Sequence, residues 1–243
     1  MTRRRAHGRQ RGGQAIAEFL IALPVLILLL FGVIQFALIY QARATLNHAA
    51  LLAARAGALH NGSDTEMRRA LAAGLAPLFA SEPSAAGYVK ALGLARIETL
   101  AASNMTKLDV LNPTRAAFTD FARTRLDGKG GRELPNDTLN YRSTTPGGAS
   151  RISIQDANLL HLRVTYCFRL IVPVMDRVIH AGVNALTPFD AAVSANGMSD
   201  PFGTNGTTVP RLTCFNPALR GPRIEIRSEA FVRMQSPYYE SNL

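Results

Sequence analysis

Glu18 is the residue whose surroundings most demand a chemical reason. It stands at the mouth of an apolar run that carries no charged side chain from Phe19 to Tyr40. A carboxylate carried toward a bilayer centre costs on the order of 2–3 kcal/mol, less at the interface, so an acid placed there is a functional candidate by default. The bland alternative is an interfacial residue that snorkels to headgroups. Gly13 precedes it by five positions and Phe19 follows it directly. The other reactive side chains are sparse. Cys167 and Cys214 are the whole thiol inventory, and in an oxidising compartment an even pair favours one disulfide over two separate buried thiols. Two cysteines make no zinc site by themselves, and the spacings of His161 and His180 to them match no zinc pattern. Cys167 with His161 is the best nucleophile and base on offer. Six strand residues would separate them by about 20 Å, which defeats proton transfer. Asp109, Asp120 and Asp127 are too scattered for a carboxylate pair, and His48 and His60 suit a solvent-facing or neighbour-facing helix position. There is no GxSxG elbow, phosphate loop, HExxH helix or dinucleotide fingerprint. No catalytic residue, cofactor or metal is assigned.

The element that positions Glu18 is a membrane helix. From Phe19 to Tyr40 the only strongly polar side chain is Gln35, and the run exceeds the ~20 apolar residues that cross a ~30 Å hydrocarbon layer. Pro24 and Gly32 lie inside it, where lipid and neighbouring helices tolerate them. Arg3, Arg4, Arg5, Arg9 and Arg11 precede the span, and only Arg43 and Arg55 follow it closely. This asymmetry predicts a cytoplasmic amino terminus, an exported carboxy-terminal body, and Tyr40 as an interfacial anchor. The same five arginines supply half of the formal charge of +10. The charge therefore reads as an address, not as a nucleic-acid surface. A cleaved signal peptide has a shorter apolar stretch of ~7–15 residues and a small-residue site beyond it, which this span lacks.

Gly13, then Gln14-Ala15-Ile16-Ala17, then Glu18-Phe19, between a basic leader and an unbroken apolar helix, resembles the type IV prepilin processing site. The stretch GQAIAEFLIALPVLILLLFGVIQFALIY and the Ala-rich AALLAARAGA after it are similar to TadE-type pseudopilins of tight-adherence (Flp) pilus systems. VTYCFRLIVP and EAFVRMQSPYY extend the likeness toward the far end. The resemblance implies that a prepilin peptidase cuts between Gly13 and Gln14, where glycine lets an extended backbone enter a tight cleft. It implies that Glu18 pairs with the new amino terminus of a neighbouring subunit. The partners implied are membrane lipid, the peptidase, and other pilins, pseudopilins and pilus assembly components.

The expected fold is α+β. Residues 1–13 form the basic leader, 14–60 one long helix with its span at about 16–40, and 61–243 an exported head with an antiparallel sheet packed on the helix. A membrane helix followed by a separate amphipathic helix is the alternative. Leu46, Ala50, Ala53 and Gly57 form a small-residue stripe, and Asn61-Gly62 is the expected stop. Helices are expected over Glu66 to Phe79, Tyr88 to Leu100 and Thr114 to Leu126, a strand over Thr106 to Leu111, and a long loop from Asp127 to Ser150. Alternation of apolar and polar residues predicts half-buried, mutually paired strands at Leu160 to Val172 and 223–235. A short helix near Asp176 to Leu186 and a loop through Pro217 connect them. A Cys167–Cys214 bridge across that connection is worth about 3–4 kcal/mol in the chain-entropy account. The leading expectation is a minor pilin or pseudopilin of the inner membrane, acting in pilus assembly, initiation or adhesion. An unprocessed signal-anchored periplasmic binding or structural protein is the first rival, and an anchored enzyme the second.

Overall fold

The structure is a computed structural model and describes residues 12–101, 105–175, 178, 179, 214 and 223–243. One continuous helix, α1 (Gly12–Leu59), runs from the apolar segment into the head. Its two halves are continuous because no helix-breaking residue follows Pro24, and Ala, Leu and Arg dominate the later turns. Its end is a Schellman-type stop. Asn61 and Gly62 both take positive φ, and the Gly62 N–H donates to the Gly57 carbonyl at 2.9 Å. Gly62 is required there twice over, since a Cβ would lie 2.2 Å from the Tyr238 ring.

The upper half of α1 buries a stripe of Ala42, Leu46, Ala49, Ala50, Ala53, Ala54 and Ala58. Small residues let α2 (Asp64–Leu75) lie close against it. A Cβ on Gly74 would sit 2.6 Å from the Ala49 Cα, and one on Gly57 would sit 2.7 Å from the Met67 sulfur. These two contacts make α2 antiparallel to α1, with its apolar Met67, Leu71 and Leu75 turned inward.

The other face of the stripe rests on a three-stranded antiparallel sheet. Its order is β1 (Thr106–Asn112), β4 (Leu159–Arg169), β5 (Arg223–Arg233). The register pairs Val164 with Leu108 on one side and with Ser228 on the other. Leu160, Leu162, Val164, Tyr166 and Phe168 face the helix side, as alternation requires, and the sheet-on-helix expectation is met. A smaller sheet joins β2 (Arg123–Thr124), β3 (Arg132–Leu134) and β6 (Tyr238–Tyr239).

Several expectations need correction. β4 is buried on both faces, because His161, Thr165 and Cys167 are buried as well; it is the central strand, with neighbours along both edges. It stops at Arg169, since the next free N–H groups, of Ile171 and Val172, are taken by the Gln35 side chain instead of a ladder. The helix expected over Tyr88 to Leu100 begins earlier, as α3 (Ala85–Arg96), where the Ser84 hydroxyl caps the Gly87 N–H at 3.0 Å, and it widens into a π turn at Ile97–Ala101. The helix expected over Thr114 to Leu126 is only α4 (Arg115–Phe121), because Arg123 leaves it to pair with Glu133 across β2 and β3. That pairing also puts strand β3 inside the stretch read as a single long loop. The remainder of that loop is pinned by Asp120, which accepts hydrogen bonds from Ala149, Ser150 and the Ser150 hydroxyl. A further short helix, α5 (Ile154–Ala157), capped by Ser153, leads into β4. The basic leader up to Arg11, and all but residues 178, 179 and 214 of the expected helix and loop between Asp176 and Pro217, lie outside the described residues.

Candidate functional site

The first functional element is the lower rod of α1. The Gly13–Gln14 bond lies in the first turn of the helix, which begins at Gly12. Glu18 and Phe19 follow in the next turn, and both are exposed. Above them Leu20, Ile21, Val25, Leu26, Ile27, Leu28, Leu29 and Leu30 are exposed too. An apolar helix exposed on every side has no stable place in water, whereas a bilayer or neighbouring apolar helices supply its solvent. The described helix is long and apolar enough to cross a membrane. Glu18 lies about 6 Å along the axis from Gln14 at ~1.5 Å per residue.

The second element is Gln35, noticed in sequence only as the one polar interruption of the span. It is fully buried. Its Oε1 accepts hydrogen bonds from the backbone N–H groups of Ile171 (3.2 Å) and Val172 (2.9 Å). Gly32, one turn below, is buried, with the Met175 methyl placed 3.5 Å from where its Cβ would be. The head is therefore latched to the rod inside the charge-free stretch.

The head holds a polar group that sequence reasoning missed. Glu98, on the π turn, accepts a hydrogen bond from the Tyr166 hydroxyl at 2.6 Å and one from the Arg223 guanidinium at 3.1 Å. Arg223 also donates to the Cys167 carbonyl at 2.9 Å. Burial, then the Glu98 charge, pushes the Tyr166 hydroxyl above the ordinary tyrosine range. This knot ties α3's extension, β4 and β5 together. Its signal was weak in sequence, because Arg223 sits on the polar register of its strand and looks solvated. At the same place the structure joins Cys167 to Cys214, with Cα atoms 5.5 Å apart and a sequence separation of 47.

On the sheet face away from α1, His161 stacks on Phe231 at 3.9 Å and lies 2.8 Å from Glu229, which also accepts from Arg163 at 2.7 Å. Burial opposes ionisation of Glu229, but these two partners outweigh it and hold the carboxyl below its usual range. Asp109 and Asp64 line a shallow hollow of about 310 Å³ with Met67, Leu108, Val110, Asn242 and Leu243. Asp120 and Asp127 are instead spent on loop geometry. Among the described residues no cluster of His, Cys, Asp and Glu is arranged to hold a metal ion. His48 is exposed, and the His60 ring bonds to the Ala56 carbonyl.

The far-end stretch closes the head over the helix stop. Gln235 and Ser236 donate to the Ala58 carbonyl at 3.1 and 3.0 Å. Asn61 Nδ2 donates to the Pro237 carbonyl at 2.8 Å, and the Asn242 amide returns a bond to the Asn61 carbonyl. Orphan carbonyls that every helix leaves at its end are thus satisfied by the chain's own tail.

Comparison with known sequences bears on the rod alone. No curated protein and no solved structure matches the chain. The sequence model of the family described as TadE-like protein matches residues 13–55. That interval starts at the glycine of the processing-site pattern and ends within the helix that binds the head, so the rod of this chain is TadE-like.

Proposed function

We propose that this chain is a minor pilin or pseudopilin of a tight-adherence type IV pilus, cut between Gly13 and Gln14 by a prepilin peptidase. The observation that supports it most is the rod itself. A helix apolar on every face begins at the glycine junction, carries Glu18 in its second turn, and continues without a break into a folded head. Cleavage before such a helix leaves the anchor in place, whereas ordinary signal cleavage removes it. The new α-amino group on Gln14 and the Glu18 carboxylate are then opposite charges at the end of an apolar rod. In a low-dielectric bundle each is costly alone and favourable when paired, which couples the acid of one subunit to the amine of the next. The first helical turn has to unwind for the peptidase to hold Gly13 in an extended conformation. That opening is confined to a terminal turn, and helix ends fray.

The head lies outside the cytoplasm in this reading, in the inner-membrane topology with an arginine-rich cytoplasmic start. A disulfide between Cys167 and Cys214 suits that oxidising side. The role follows as assembly, initiation or adhesion, with lipid, the peptidase and other pilus components as partners. The test is the amino terminus. Gly13→Arg is expected to abolish the mobility shift of processing, leaving full-length protein that starts at Met1 or Thr2, while unaltered protein starts at Gln14. Unchanged cleavage in Gly13→Arg, or an uncut leader in cells with an active peptidase, leaves an unprocessed anchored protein as the better reading.

A further inference from the structure

We propose that the segment Leu170–Met175 is a lipid-embedded foot of the head, entering the outer leaflet of the bilayer that α1 crosses. The inference rests on the membrane span of the preceding reading and concerns a surface outside the rod.

Measured from Ile16, α1 is free of the head only as far as Phe31, roughly 24 Å of helix at ~1.5 Å per residue. A hydrocarbon core is about 30 Å thick and needs ~20 residues. The head nevertheless touches the rod from Gly32 onward, through Met175 and the Gln35 latch. The charge-free surface of the helix continues well above that contact. Val33, Ile34, Phe36 and Tyr40 are exposed on its other faces, and the first charge after Glu18 is Arg43. The base of the head therefore lies beside helix that belongs in hydrocarbon.

The foot has the chemistry for that place. Leu-Ile-Val-Pro-Val-Met fills the interval between Arg169 and Asp176 without a polar side chain. Ile171 and Val174 are exposed, by 63% and 56%, just past the strand's end, where water would otherwise meet them. Irregular backbone enters lipid only when its polar groups are satisfied within the protein. The Ile171 and Val172 N–H groups are satisfied by Gln35, Pro173 has none, and the Val178 N–H returns to the Val174 carbonyl at 3.2 Å. The oxygen of Gln35 is thereby accounted for, while its Nε2 is buried without a hydrogen-bond partner among the described residues. That oxygen supplies from the rod the acceptor that water supplies elsewhere.

The chain contains no tryptophan, so a single one reports its own surroundings. Full-length protein carrying Ile171→Trp or Val174→Trp is reconstituted into phosphatidylcholine vesicles with brominated acyl chains. Leu26→Trp marks the span and Tyr141→Trp, at a side chain exposed to solvent, marks the head. The expected result is blue-shifted emission and quenching of the two foot positions to at least half the extent at Leu26→Trp, with Tyr141→Trp unaffected. Foot positions quenched no more than Tyr141→Trp, with Leu26→Trp quenched, overturn the foot and leave the span standing. A blue shift that bromine does not quench and that grows with protein-to-lipid ratio also overturns it, in favour of a second copy of the chain. Loss of quenching at Leu26→Trp overturns both the span and the foot.

Discussion

Between Ile16 and Leu30 the long helix shows leucine, isoleucine and valine to its surroundings on every side, while between Ala42 and Ala58 it turns alanine and glycine toward the head and arginine, asparagine and histidine away from it. Both halves are one uninterrupted α-helix, yet they obey different constraints. The lower half needs only enough apolar surface, since lipid or neighbouring rods adapt to whatever shape it presents. The upper half meets backbone at fixed distances, and there the size of each residue counts. Gly74 against the Ala49 backbone is the tightest example. Glu18 is the lower half's exception, being its one charged side chain.

The sharpest way to break this comparison is a matched pair of truncations. Leu46→Ala removes a fully buried side chain from the upper half and is expected to cost about 2–5 kcal/mol of head stability. Leu26→Ala in the lower half is expected to leave the head's urea midpoint unchanged in detergent micelles. Equal losses at the two positions would show that the rod is not partitioned in this way.

A smaller effect separates two glycines of similar helical setting. Gly74→Ala gains helix propensity but drives a methyl to 2.6 Å from the Ala49 backbone. Backbone cannot swing aside, so the variant is expected to lose about 1–3 kcal/mol. At Gly93 in α3 an added Cβ meets nothing within 4 Å, and Gly93→Ala is expected to gain about 0.5–1 kcal/mol. Denaturation midpoints moving in opposite directions are the expected outcome; a stabilised Gly74→Ala protein would mean that α2 sits farther from α1.

The smallest effect lies at the rim of the head, where hydrogen bonds replace close packing. Hydrogen bonds from the Ser150 hydroxyl and N–H, then from the Ala149 N–H, hold the Asp120 carboxyl below its ordinary value of 3.8. A depressed folded-state value means that the contribution is fully present above the unfolded value and is lost as pH falls through the folded one. Carbon-detected NMR of the Asp120 carboxyl is expected to give a midpoint below 3.8, with the Ser150 amide shifting in step. In Asp120→Asn the Ser150 amide should lose that step. A normal midpoint at Asp120 would mean that the 147–151 turn is held by something else.

How much of this could be read beforehand differs by region, for reasons that particular residues make plain. The rod and the Asn61-Gly62 stop were legible because each is a local property of consecutive residues. β4 and β5 were legible as a pair because alternation at period two survives in both. Burial of the second face of β4 was not, since His161 looks solvated until Glu229 and Phe231 are gathered around it, and Thr165 until Lys107 and Arg227 flank it across the sheet. Strand β3 was hidden in a Gly-rich, Pro-rich stretch and exists through its pairing with β2 and with the distant Tyr238–Tyr239. Arg223 gave no sign that it neutralises a buried Glu98 more than a hundred residues away.

Sequence by itself determined the apolar rod, the charge asymmetry around it, the Gly13-to-Glu18 spacing and the α+β composition of the head, because hydrophobic run length, local charge and period are written in neighbouring positions. Tertiary structure alone decided where the head grips the rod, which acid is buried with which base, and how the tail closes the helix end. Those outcomes depend on groups far apart in the chain, and their free energy arises only when folding removes water from both partners together.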